Sequence, residues 1–142
     1  MKIPFTTGQR VFIVAILFAV AIVGFMLKLP SAFRQMDKEL HAAFYFFAAA
    51  FLNIFFARKN LVRHVIIFVL LYLFGMAIEY SQEYSNQFFR KRIHGRFDPE
   101  DLQWNLYGLL AFSVLWLLYA GISQLSKSSS KTAVSSAKQE RQ

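Results

Sequence analysis

Four long apolar runs, each without a charged residue, constrain the fold of this chain more than any other feature. They cover Val11–Leu27, Ala42–Ala57, Val65–Ile78 and Leu102–Leu125. A helix that crosses the hydrocarbon core of a bilayer needs about 20 mainly apolar residues, with a range of about 17–25. The first and fourth runs meet this length directly, and the middle two meet it when His41 and Glu79 are included near their ends. Because 56% of the chain is hydrophobic, we expect a membrane protein rather than a soluble domain.

The predicted fold is all-α, an integral membrane four-helix bundle formed by residues 1–125. Its spans are expected at about 11–29, 40–57, 62–82 and 102–125. The first run follows Lys2 and Arg10, as in a signal peptide, but it is longer than the usual apolar region of about 7–15 residues. We therefore expect a retained helix. Residues 126–142 are rich in Ser and Lys, which is typical of a disordered basic tail.

The distribution of Lys and Arg predicts the orientation. If the four spans alternate in direction, nine basic residues lie on the side of the two termini and seven on the opposite side. This excess predicts that both termini are cytoplasmic. The basic residues lie between the apolar runs, so the net charge of +8 indicates membrane-flanking loops rather than a nucleic-acid interface. Aromatic residues near the span ends are expected to anchor the helices at the membrane surfaces, namely Tyr80, Tyr84, Trp104, Trp116 and Tyr119.

The acidic residues are confined to one predicted side of the membrane. Seven of the eight lie in two stretches, Asp37–Glu39 and Glu79–Asp101, each at the end of an apolar run. An ionisable side chain within a membrane costs roughly 2.5–3.5 kcal/mol on insertion scales and usually marks a functional site. Asp37 and His41 are four residues apart, so they share one helix face. A simpler explanation for Asp37 is a favourable interaction with the helix N-terminus.

Glu79 and Asp101 have polar neighbours at helical spacing. Glu79 and Gln82 form a stripe with Gly75, and Asp101 and Asn105 share a face with Gly108. Glycine allows close approach of a second helix, and an amide within a span favours an interhelical hydrogen bond. The structural alternative for Glu79 is an ion pair with Lys38 or Arg96. Asp98 followed by Pro99 predicts the start of the fourth helix.

Together these residues predict one shared polar site on three helices. Its expected members are Asp37, Lys38, His41, Glu79, Gln82, Arg96, Asp101 and Asn105. We expect the cations to contact phosphate groups of a ligand. The same residues also allow an intramembrane enzyme, with His41 as a general base oriented by Asp37 and with Glu79 or Asp101 as further acid–base groups. A divalent metal held by Asp37, His41, Glu79 and Asp101 is another form of that alternative, although no dense ligand motif is present.

A transporter or proton path is the third hypothesis. Four helices leave little room for an alternating-access site, and no inverted repeat is visible in the sequence. The chain has no cysteine, which excludes disulfides, thiol nucleophiles and cysteine-ligated metals.

The spacing of these residues resembles the VanZ-like family of small bacterial membrane proteins. The matching pieces are Asp37-Lys38-x-x-His41, then Glu79-x-x-Gln82, then Arg96-x-Asp98-x-x-Asp101-x-x-x-Asn105-x-x-Gly108. The resemblance covers most of Asp37–Leu118. The stretch between Gln82 and Arg96 is longer than expected, so Arg90 or Arg92 are alternatives to Arg96 for the family arginine.

The resemblance implies a location and a class of ligand. It implies a multi-pass protein of the bacterial cytoplasmic membrane, in contact with membrane lipids. The family name refers to resistance to the glycopeptide antibiotic teicoplanin, so a lipid headgroup, a lipid-linked cell-wall precursor or a lipoglycopeptide is the expected partner. The resemblance does not imply a particular reaction or cofactor.

Overall fold

The described part of the chain folds into four α-helices. The computed structural model describes residues 5–26, 36–88 and 97–139, with the backbone alone at 125 and 127–138. The helices are α1 (Thr7–Met26), α2 (Asp37–Leu52), α3 (Leu61–Ser85) and α4 (Pro99–Gln139). The prediction of four helices long and apolar enough to cross a membrane is confirmed, and these segments are Thr7–Met26, Asp37–Ala57, Leu61–Ser85 and Pro99–Gln124.

Polar side chains define where α3 and α4 begin. Asn60 precedes α3, and its side-chain oxygen accepts a hydrogen bond from the backbone N–H of Arg63 at 3.0 Å. Asp98 precedes α4, and its carboxylate accepts from the N–H of Glu100 at 2.8 Å. Both residues satisfy N–H groups that have no partner within the first helical turn. The predicted role of Asp98-Pro99 as a helix start is confirmed.

The C-terminal part of α4 differs from its prediction. We predicted that the fourth helix ends at Leu125 and that a disordered tail follows, whereas the helical backbone continues to Gln139. Residues 126–139 contain no glycine or proline, and several are alanine, lysine or glutamine, which favour helices. Extending an existing helix also avoids the cost of nucleation. The extension is polar and lies beyond the candidate span, which ends at Gln124.

The contact between α2 and α4 is the most extensive one between the described helices. Gly108 makes it close, because a Cβ atom at this position would overlap the backbone carbonyl oxygen of Ala42. Such contacts between small residues are typical of helix packing in membranes. Buried apolar residues form a core along this interface and against α3, namely Tyr45, Ala49, Ala57, Ile67, Leu71 and Leu109.

The outer surface of the bundle is apolar. Large hydrophobic side chains are widely exposed, for example Phe47 at 66% and Val62 at 67%. α1 has no buried residue and packs on the side of the bundle through aromatic contacts such as Phe18 with Phe74, whose ring centroids are 4.9 Å apart. A soluble monomer rarely exposes so much contiguous apolar surface. This surface is suited to contact with lipid acyl chains.

The α2–α4 contact gives the first prediction. Gly108→Ala should lower the free energy of unfolding by about 1–3 kcal/mol, because the added methyl group forces two backbones apart. Gly121→Ala is the matched control on the same helix, since a Cβ there would have no neighbour within 4 Å. Unfolding of the two purified variants and the wild type in detergent measures the difference. Equal stability of the two variants would contradict the close α2–α4 contact.

Candidate functional site

Polar and ionisable side chains from α2, α3 and α4 are buried together at one end of the bundle. Those that the structure buries there are His41, Glu79, Gln82, Asp101 and Asn105. Asp37 and Lys38 lie beside them at the start of α2 and are partly exposed. We call these seven residues the polar cluster. The inward orientation predicted for Glu79 is observed, because none of its surface is exposed.

His41 and Asn105 link α2 to α4. The Nδ1 atom of His41 lies 2.9 Å from the side-chain oxygen of Asn105. An amide oxygen is an acceptor, so Nδ1 is the donor and carries the hydrogen. In the neutral ring Nε2 then keeps its lone pair, and it lies 3.9 Å from a carboxylate oxygen of Asp101. That separation is longer than a hydrogen bond. The His41–Asp101 pair is therefore open to an additional atom.

Asn105, rather than Asp37, orients the imidazole. The sequence suggested that Asp37 could do so from one turn earlier on the same helix. The carboxamide of Asn105 crosses instead from α4, one turn after Asp101. Asn105 also lies against α3, because a Cβ at Gly75 would be 2.8 Å from its side-chain nitrogen. The predicted close approach at Gly75 is thus present, and it joins α3 to the other two helices.

Glu79 has an incompletely satisfied carboxylate. One oxygen accepts a hydrogen bond from the backbone N–H of Asp98 at 3.1 Å, which joins α3 to the start of α4. The other oxygen, Oε1, is buried and has no hydrogen-bond partner among the described residues. The side chain is near enough to Asp37 and Asp101 for their charges to interact. A buried polar atom without a partner costs free energy and calls for an explanation.

The C-terminal end of α1 covers the polar cluster. Gln82 donates a hydrogen bond from its side-chain nitrogen to the backbone carbonyl oxygen of Phe25 at 2.8 Å. The Phe25 ring lies against the His41 ring, with centroids 4.9 Å apart. Gln82 thus ties α3 to α1, and Phe25 shields one side of the imidazole. The sequence placed Gln82 in the site but gave no role to Phe25.

The rim of the cluster contains an ion pair and a group of potential metal ligands. Lys38 pairs with the carboxylate of Glu100 across α2 and α4; the Lys38 side chain is partly exposed and that of Glu100 is mostly exposed. One ligand atom from each of Asp37, His41 and Asp101 can be chosen so that all three lie within 4.8 Å of one another. Two carboxylates and one imidazole are common ligands of divalent metals. Glu79, the fourth metal ligand suggested by the sequence, is not in this group.

Of the cations predicted to contact phosphate, Lys38 lies among the described residues and is paired with Glu100. The others, Arg90, Lys91, Arg92 and Arg96, lie outside the described residues. Their proposed contacts with phosphate therefore stay a prediction.

A second buried histidine, at the opposite end of the bundle, was missed. The Nδ1 atom of His64 lies 2.8 Å from the side-chain oxygen of Asn53, and its Nε2 atom lies 3.2 Å from the hydroxyl of Ser113. The ring stacks on Trp116 with centroids 4.2 Å apart. Asn53 within an apolar run was the signal that could have revealed this pair. Trp116, predicted as a surface anchor, is instead largely buried.

The two histidines differ in what their second nitrogen contacts. In His64 both ring nitrogens have protein partners and the ring face is covered. In His41 only Nδ1 makes a hydrogen bond shorter than 3.5 Å among the described residues, and Nε2 lies 3.9 Å from the carboxylate of Asp101. The His64 group is therefore a closed packing element. The His41 group keeps one ring nitrogen without a hydrogen-bond partner among the described residues.

Comparisons with known proteins give no family assignment. No protein-family model, no curated protein and no solved structure matches this chain.

Proposed function

We propose that this chain is a VanZ-like protein of the bacterial cytoplasmic membrane whose polar cluster binds a polar group of an envelope ligand. The ligand classes are a lipid headgroup, a lipid-linked cell-wall precursor and a lipoglycopeptide. The buried Oε1 atom of Glu79, without a partner among the described residues and beside the open His41–Asp101 pair, is the observation that carries the proposal. Four helices suited to a membrane support the location.

The proposed orientation places the polar cluster on the outer side of the membrane. The excess of Lys and Arg on the side of the termini favours cytoplasmic termini. The polar cluster lies at the other end of the spans, beside the starts of α2 and α4 and the end of α3. A ligand in the outer leaflet would then reach it from the bilayer or from the envelope.

The two carboxylates in the cluster favour binding over a purely structural role. A structural pair such as His64 with Asn53 needs only two polar residues with compatible geometry. The polar cluster adds Glu79 and Asp101, which lie near each other and carry the same charge when ionised. Two such carboxylates in one buried site are costly unless a cation or hydrogen-bond donors compensate. In the proposed function, the ligand supplies the cation or the hydrogen-bond donors that offset this cost.

The acidic character of the described site indicates which part of the ligand enters it. Amino and hydroxyl groups of a headgroup or sugar would donate hydrogen bonds to Glu79 and Asp101. A phosphate group would instead contact Arg90, Lys91, Arg92 or Arg96, as the sequence predicts. The polar cluster would thus select the donor-rich part of an amphiphile. The basic segment would hold its anionic part.

Binding by the polar cluster gives the second prediction. Glu79→Gln and Asp101→Asn should each weaken binding at least about tenfold, because each removes a buried charged acceptor. The measurement is titration of the purified full chain in nanodiscs with three probes: teicoplanin, phosphatidylethanolamine and an undecaprenyl-linked cell-wall precursor. At least one probe should bind saturably to the wild type without forming a product.

Glu39→Gln is the matched control for this experiment. Glu39 lies in the same first turn of α2 as Asp37 but is exposed, so its replacement should leave binding unchanged. Circular dichroism and gel filtration establish that each variant is folded. If folded Glu79→Gln and Asp101→Asn proteins bind every probe as the wild type does, the polar cluster is not a ligand site.

An intramembrane metal-dependent enzyme is the second candidate. The grouping of Asp37, His41 and Asp101 within 4.8 Å favours it. Asn105 would orient His41 with Nε2 toward the ion, as hydrogen-bond partners of metal-bound histidines commonly do. A bound divalent ion would polarise an oxygen of the substrate or activate water there. Glu79 would be the nearby group that accepts or donates a proton.

Metal binding gives the third prediction. After treatment with EDTA and dialysis, the wild type should bind about one equivalent of Zn²⁺ or Mn²⁺, as measured by isothermal titration and elemental analysis. Asn105→Ala should lower the affinity roughly 10- to 100-fold, because His41 loses its orienting partner. Glu39→Gln should bind as the wild type does. If wild type and Asn105→Ala bind metal equally weakly, the metal-dependent candidate fails and the binding proposal is unaffected.

A further inference from the structure

A cavity of about 620 Å³ lies at the end of the bundle opposite the polar cluster. It is located between the segment that follows α2 and the second half of the candidate span Pro99–Gln124 of α4. Its apolar wall is formed by Ile54, Phe112 and Leu115, and its rim carries Arg58, Lys59 and Tyr119. Ile54, Leu115 and Tyr119 are more than half exposed, so the cavity opens to the surface that faces lipid. It therefore combines an apolar groove with a basic rim.

The rim lies in a part of the chain without acidic residues. Residues 42–78 and 102–139 contain no Asp or Glu. Lys59 lies with its Nζ atom 5.0 Å from the centre of the Tyr119 ring, which holds the cation at the mouth of the cavity. Arg58 is exposed beside it. No ion pair of Arg58 or Lys59 with a carboxylate is present among the described residues, so the two cations favour an anionic ligand.

The buried polar groups around the cavity are already used within the protein. Asn53 donates to the carbonyl oxygen of Ala49 at 2.8 Å and pairs with His64. Trp116 donates from its indole nitrogen to the carbonyl oxygen of Arg58 at 3.0 Å. The inner wall thus offers shape and apolar surface, and recognition of polar groups depends on the rim. This division matches an amphiphile with one charged end.

The backbone at Arg58 supports a role for its side chain. Its φ and ψ angles are 52° and −106°, outside the left-handed helical region and easily adopted only by glycine. It directly follows the π-helical segment Asn53–Ala57, and such segments are frequent at functional sites. Glycine would adopt this conformation more easily, so an arginine here points to a need for the guanidinium. The hydrogen bond from Trp116 to its carbonyl oxygen fixes the conformation.

We propose that this cavity binds one anionic phospholipid. The phosphate lies between Arg58 and Lys59, whose cations suit phosphate oxygens. One acyl chain follows Ile54, Phe112 and Leu115 toward the membrane interior. The rim is at headgroup depth, because the candidate spans of α2, α3 and α4 all end or begin near it. This site shares no residue with the polar cluster, so the proposal is independent of the function proposed above.

Tryptophan fluorescence tests this proposal. The chain has two tryptophans, and Trp104→Phe leaves only Trp116, which lies in the cavity wall about 18 Å further along α4. The full chain carrying this change is reconstituted with phosphatidylglycerol or phosphatidylcholine brominated in the acyl chains, because bromine quenches nearby indole. Brominated phosphatidylglycerol should quench Trp116 saturably and in clear preference to brominated phosphatidylcholine.

Removal of the rim charges should abolish this preference. Arg58→Gln with Lys59→Gln should lower it by on the order of fivefold for each cation replaced. Gln keeps an unbranched polar side chain at both positions and removes the charge. Arg63→Gln is the matched control, since Arg63 lies at the same end of the bundle but does not line the cavity. The Arg63→Gln variant should keep the preference for phosphatidylglycerol within about twofold of the starting protein. This change is smaller than the one expected for loss of either rim cation.

Leu115→Phe tests the proposal if the charge variant does not fold. It narrows the apolar wall and keeps both cations, so quenching by brominated phosphatidylglycerol should fall while the protein stays folded. Equal quenching by the two lipids in the starting protein, an unchanged preference after removal of the rim charges, or unchanged quenching by brominated phosphatidylglycerol in Leu115→Phe would overturn the proposal. Displacement of the lipid by inorganic phosphate at constant ionic strength would also overturn it, because a free anion would then be the ligand.

Discussion

The close approach of α2 and α4 at Gly108 is the contact on which the polar architecture depends. No water is available in the hydrocarbon core to satisfy a polar side chain, so each one must find its partner within the protein. At Gly108 the two helix backbones come near enough for His41 to reach Asn105, one turn before the glycine on α4. Once this pair has formed, α3 can place Glu79 beside it without exposing a carboxylate to lipid.

The two histidine–asparagine pairs show how similar chemistry can serve packing at one end and leave a site at the other. Each pair joins an imidazole Nδ1 atom to a side-chain amide oxygen, at 2.9 Å for His41 with Asn105 and 2.8 Å for His64 with Asn53. Ser113 and Trp116 complete the surroundings of His64. The corresponding side of His41 meets the carboxylate of Asp101 at a distance too long for a hydrogen bond. The two pairs therefore differ in the group that the Nε2 atom meets, a hydroxyl in His64 and a more distant carboxylate in His41.

Hydropathy and helical spacing were sufficient to predict the four helices and the face of each that carries polar residues. Glu79 was predicted to point inward because a lipid-facing carboxylate is costly, and the same argument holds for any single span. Partners across helices were harder to predict. Asn105, and not Asp37, orients His41 because of the rotation of α4 about its axis, and the sequence does not give that rotation. Asn53 and His64 lie in a stretch without acidic residues, so a search for clusters around carboxylates passed over them. The helix beyond Ser126 depends on a weak preference that composition alone did not reveal.

The distribution of charge separates the two ends of the bundle by the ligands they suit. Seven carboxylates lie in the stretches that flank the polar cluster, whereas residues 42–78 and 102–139 have none. A phosphate group approaching His41 and Glu79 would meet carboxylates unless the basic segment 90–96 or a divalent ion intervened. A phosphate group at Arg58 and Lys59 would meet two cations and the ring of Tyr119. Since α4 contributes to both ends, the two proposed sites, one suited to hydrogen-bond donors and one to anions, share this helix.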